Sequence, residues 1–131
     1  MVARFFSFIF LVDGIIIGLG AFGHGLAVRH VHAALDNLPV EPNVGTMIYV
    51  VWYFVSGCMF LFGLTIVWIW FRLRAGDGGL LFVAVLIGAL YLATGTGGMI
   101  YRHGDLFMAL FILLGGLLLL SSLVLRKGLR Y

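Results

Sequence analysis

Four long apolar runs, separated by short polar connections, decide what this chain can fold into. They cover residues 5–27, 46–71, 80–100 and 106–125. At about 1.5 Å per residue, each run reaches the roughly 30 Å needed to cross the hydrocarbon layer of a bilayer as a helix. A soluble domain of 131 residues, 63% of them hydrophobic and 10% charged, has too little interior to hide runs of this kind. The expected fold is all-α: a four-helix transmembrane bundle forming one integral membrane domain over residues 1–131. A cleaved signal peptide is not expected. Asp13 interrupts the apolar stretch after Arg4, the stretch outruns the usual length, and no small-x-small site precedes a polar start.

The charges then orient the spans. Arg4, Arg72, Arg74, Arg126, Lys127 and Arg130 fall on one side, and only Arg29 and Arg102 on the other. By the positive-inside rule both termini are expected in the cytoplasm. The same distribution accounts for the net charge of +3 without nucleic acid as a partner. Tyr49, Trp52 and Tyr53 near one end of the second run, and Trp68, Trp70 and Phe71 near the other, mark the two interfaces. The single cysteine, Cys58, excludes a disulfide framework, a CxxC redox pair or a thiolate metal cluster, and reads as a buried small hydrophobe.

The first run, with its extension DGIIIGLGAFGHGLAVRHVH over residues 13–32, is the distinctive one. Gly14, Gly18, Ala21 and Gly25 form a small-residue seam that lets a neighbouring helix approach closely in lipid. A second seam, on one face with Ala84 and Tyr91, is Gly88, Gly95 and Gly98 in the third run. Asp13, Gly20 and His24 stack beside the first seam, with Asp13 and His24 roughly 16 Å apart along the helix. A lipid-facing acid is costly, so this polar stripe should point into the bundle. With no cationic side chain at its depth, Asp13 is expected to be protonated and hydrogen-bonded, at the level of Gly63, Thr65 and Ser121. The helix should continue past the membrane to about Leu35. Pro39 and Pro42 then end it, and Asn43 is placed to cap the next helix.

The topology gathers all four histidines, His24, His30, His32 and His103, on the outer side. Histidine is the commonest metal ligand, and His24 with His103 is the natural pair for a haem or metal. His30 and His32, two residues apart, point to different sides of a helix, and there is no HExxH or ExxH pattern. A second reading makes Asp13 the centre of a proton-coupled transporter, although one acid without a second titratable group makes a poor relay. A third places a small-molecule site among aromatics and thin helices, with Asp13, Ser56, Cys58, Tyr53 and Tyr91 as lining and His24 and His103 as further ligand contacts. No catalytic constellation is present.

The layout resembles the small four-span DoxX-like membrane proteins of bacteria. The resemblance lies in a first helix of the form GIIIGLGAFGHGL, an outer loop with prolines, a glycine-rich third helix, and a short turn, YRHGD, into a leucine-rich fourth. Some DoxX-like proteins resemble subunits of quinone-linked membrane oxidoreductases, so the resemblance implies an accessory or redox-linked role and assigns no catalytic residue. The expected function is that of a non-enzymatic accessory subunit or small-ligand- or lipid-binding bundle. It would work beside other membrane subunits or as a homo-oligomer. The alternative is a redox subunit holding haem, a metal or quinone.

Overall fold

The computed structural model describes residues 2–128, all of them helix or connection; Arg130, one of the cations expected on the inner side, lies outside the described residues. Helix α1 runs Val2–Leu26 and α2 Val28–Leu35, parted by a single turn at Ala27. Helix α3 runs Pro42–Arg74, α4 Leu81–Tyr101 and α5 Leu106–Gly128. With α1 and α2 taken together, four helices are long and apolar enough to cross a membrane. There is no strand among the described residues.

The connections follow from local chemistry. Glu41, not Asn43, is the residue that precedes α3, and Pro42 opens the helix. Proline's fixed φ suits the first helical turn, where its missing N–H would be unpaired anyway. Asn43 lies inside that turn and donates to the Glu41 carboxylate at 3.2 Å. At the other end of α3, Gly76 takes a φ of 85°. Its N–H donates to the Leu73 carbonyl, and the Asp77 N–H to that of Arg72, so two carbonyls at the helix end are satisfied. The turn is then tied by Arg72 to the Asp77 carboxylate, which also accepts from the Gly79 N–H. These contacts, the Arg72 hydrogen bond foremost, hold the Asp77 carboxyl below the usual carboxylate range.

Two antiparallel pairs make up the bundle, α1 with α3 and α4 with α5. They join mainly through α1 and α5, while α3 touches α4 lightly and α1 does not approach α4 closely. Each pair is drawn together where backbone meets backbone. Gly14 lies against Ile66 and Gly63, and Gly18 against Gly63. Gly88 lies under the Gly115 carbonyl, and Gly95 against Ile112 and Met108. Gly98 meets only the side chain of Met108, and Gly25 only Ser56, at 3.7 Å or more. Ala21 is buried. The tightest approaches to backbone are at two glycines on the facing helices. A methyl on Gly63 would overlap the backbone of Gly18 and come within 2.7 Å of the Gly14 carbonyl. One on Gly115 would come within 2.7 Å of the Gly88 carbonyl.

The shared core lies mostly in one half of the bundle. Phe10, Ile17, Ile66, Ile69, Ala84 and Leu118 are its most deeply buried apolar side chains. No residue of α3 before Gly63 is buried, and none of α5 before Leu114. The pairs therefore close at the end that carries the α3–α4 turn and stay less covered at the end that carries the histidines.

The glycine contacts make an asymmetric prediction. Gly63→Ala and Gly115→Ala should each cost about 1–3 kcal/mol, because the facing backbone has nowhere to go. Gly18→Ala, whose added methyl would meet Gly63 Cα at an ordinary 3.6 Å, should lie within about 0.5 kcal/mol of the parent. Unfolding in mixed micelles with rising dodecyl sulfate measures all three. A Gly18 variant worse than the Gly63 variant would refute the packing described.

Candidate functional site

The candidate site is built on α1 and α3, at the end of the bundle that carries the histidines. His24 stacks on Trp52, with ring centroids 4.2 Å apart, and its Nδ1 bonds the Ser56 hydroxyl at 2.9 Å. The Trp52 indole N–H donates to the His24 carbonyl at 2.8 Å. That carbonyl sits near the end of α1, where helical acceptors run out. One helical turn of α3 thus holds the imidazole by stacking, by a hydroxyl and through its own backbone. Gly20, below it on the same stripe, lies against the end of the Met59 side chain. His32 repeats the pattern on α2, stacked on Tyr49 and bonded to its hydroxyl at 2.7 Å.

Beside His24 runs a groove of about 530 Å³ along the first half of α3. Val44, Met47, Ile48, Val51 and Val55 form an apolar floor, and His24, Trp52 and Asn43 supply polar edges. A shallower groove on the opposite flank takes in Ala21, Phe22, Arg29 and Tyr53.

The remaining candidates separate. Tyr53 is 56% exposed, whereas Tyr91 is buried and stacks on Phe111, so the two do not share a cavity. Cys58 is half-buried and Ser56 is engaged with His24. His30 is exposed on α2. His103 is exposed in the α4–α5 turn with a φ of 52°. Its N–H and that of Gly104 donate to the Ile100 and Met99 carbonyls, so His103 does the backbone work of a helix-ending glycine. The neighbouring Arg102–Asp105 pair, at 2.8 Å, closes the same turn. Among the described residues no group of three or more His, Cys, Asp or Glu side chains is arranged to hold a metal ion.

Asp13 is 2% exposed in the core, and neither carboxyl oxygen has a hydrogen-bond partner among the described residues. The expected hydrogen bond is thus not made within the chain as it stands. Sequence reasoning had no signal for the Trp52 indole reaching the His24 backbone. Nor did it mark Gly63 and Gly115 as contact points, since neither belongs to a seam recognised in the sequence.

No known protein family, curated protein or solved structure matches the chain.

Two substitutions test the site. Ser56→Ala should cost about 0.6 kcal/mol, the usual worth of an interhelical side-chain bond in a bilayer. His103→Gly should raise stability by about 1 kcal/mol by removing a side chain from left-handed backbone. Unfolding in mixed micelles reads both. A His103→Gly protein that is less stable than the parent would give the imidazole a role beyond the turn.

Proposed function

We propose that this small multi-pass integral membrane protein binds an amphipathic lipid-like molecule in the outer groove and acts as a non-enzymatic accessory subunit. The observation that carries the reading is the groove itself. A chain of methylene or isoprenoid groups would lie along Met47, Val51 and Val55, and a hydrogen-bonding headgroup would meet His24 and Asn43 at the outer edge. This is the usual composition of a ligand site, an apolar cavity with a few placed polar groups. The His24–Trp52 stack and the Trp52–backbone bond hold the polar edge in place before any ligand arrives, which lowers the ordering cost of binding. The unequal distribution of cations supports cytoplasmic termini, which puts the groove in the outer leaflet, and the resemblance to DoxX-like proteins implies a bacterial inner membrane. The resemblance to DoxX-like proteins adds a quinone to the molecules of suitable chemistry.

The test is the lipid extract of protein purified gently from its native membrane, with its optical spectrum. About one molecule of a single lipid or quinone class should be retained per chain. Retention should fall at least tenfold in Val51→Trp, which fills the groove floor, and hold in Leu86→Trp on an exposed face of α4. Extract matching the bulk membrane, or equal retention in both variants, would defeat the reading. A haem absorption band would replace it with a redox subunit.

A further inference from the structure

Three polar side chains from three helices enter the buried core without a hydrogen-bond partner: Asp13 on α1, Tyr91 on α4 and Ser121 on α5. Each is at most 4% exposed. Gly14 faces α3, and Asp13, about 100° round the helix from it, is buried on a different face of α1, which otherwise packs on α5. Ala3 lies against Gly128, so the antiparallel pairing of α1 with α5 brings Asp13 level with the turn that holds Leu118 and Ser121. On α5, Gly115 faces α4, and Ser121, six residues on and about 120° round, is on the α1 side. Tyr91 spans the wide diagonal from α4. Helical side chains lean toward their own N-terminus, and for Tyr91, whose ring stacks on Phe111, that is toward the level of Asp13.

Nothing on the surrounding helices balances a carboxylate there. Arg4 on α1, Arg72 and Arg74 on α3, and Arg126 and Lys127 on α5 are all exposed near the ends of their helices, and Arg72 is already paired with Asp77. Helix α4 carries no charged residue, and α3 buries only Gly63, Ile66 and Ile69. An ionised group with no partner in this setting is strongly disfavoured. A proton on the carboxyl removes that charge. The undissociated acid donates through one oxygen and accepts through the other, and each hydroxyl can give and take one bond.

We propose that Asp13, Tyr91 and Ser121 form an occluded binding site for one proton, held between the α1/α3 and α4/α5 pairs. The proton rests on an Asp13 oxygen and leaves to water as the carboxylic acid becomes carboxylate. Each of the four oxygens has less than 1 Å² in contact with solvent. Exchange therefore requires the α1–α5 seam to part, which couples the proton to the joint between the pairs. The site is separate from the outer groove and stands without it. An alkali ion bound to an ionised Asp13 is the rival occupant.

Infrared spectroscopy of the full chain in lipid vesicles at pH 7 distinguishes them. The other four acids lie in the connections, and two of them, Asp77 and Asp105, are ion-paired, which leaves Asp13 as the one buried carboxyl among the described residues. The carbonyl band of about one undissociated carboxylic acid per chain is expected, unchanged between choline and sodium buffers. It should vanish in Asp13→Asn and shift in Tyr91→Phe and Ser121→Ala at unchanged helical content. Absence of the band in the parent, its loss on adding sodium, or a position unmoved in both hydroxyl variants would overturn the proposal. The parent spectrum and the two hydroxyl variants decide even where Asp13→Asn fails to fold.

Discussion

Backbone-to-backbone contact at glycine is the interaction on which the rest of this structure depends. In lipid, helices gain little from hiding apolar side chains, since the tails around them are equally apolar. What remains is close packing, and close packing needs places where no side chain intervenes. Gly18 with Gly63 provides one such place and Gly88 with Gly115 the other. Each contact makes one antiparallel pair, and the geometry of the pairs sets everything else. The α1–α3 approach brings Ser56 and Trp52 to His24. The α4–α5 approach buries Tyr91 against Phe111.

The two halves of the bundle then differ in kind. At the end carrying the α3–α4 turn, large apolar side chains interlock and three polar groups are closed in with them. At the other end α3 buries nothing before Gly63, and polar side chains tie α1 and α2 to α3 in its place: His24 to Ser56, Trp52 to the His24 backbone, Tyr49 to His32. A dry, packed half suits the retention of a proton. A half held by aromatic stacks, with a groove along its side, suits a ligand that enters from the membrane. The structure thus separates a closed, mostly apolar half from a half tied together by polar side chains.

Much of the fold is legible in the residues, because length and hydropathy are nearly sufficient to determine a membrane span. The four apolar runs became helices, and the glycines at 14, 18, 88 and 95 lie against neighbouring helices. What the residues do not reveal is which helix each face meets. Asp13 and His24 share a stripe on α1, yet Asp13 is buried in the core while His24 is held by α3. A helical wheel gives directions from one axis and carries no information about where the other axes cross it. The turn residues show the same limit. His103 reads as a ligand by its chemistry, and its backbone conformation, invisible in the sequence, makes it a stand-in for glycine. Pro42 reads as a stop and proves to be a start, because proline ends a helix from inside but opens one from its first turn.

The joint between the pairs is the central claim, since the proton site, the closed half and the uncovered outer half all depend on α1 meeting α5. It can be tested directly where the two helices meet at their ends. A Cβ on Gly128 would stand 3.7 Å from the Cβ of Ala3. That separation is within the range of about 3.5–4.5 Å found in disulfides. In a Cys58→Ser background, the double variant Ala3→Cys, Gly128→Cys in native membranes should form an intramolecular disulfide under mild oxidation, seen as a monomer that runs faster than its reduced form. Cross-linking between chains alone, or none at all, would place α1 and α5 apart and contradict the arrangement of the bundle.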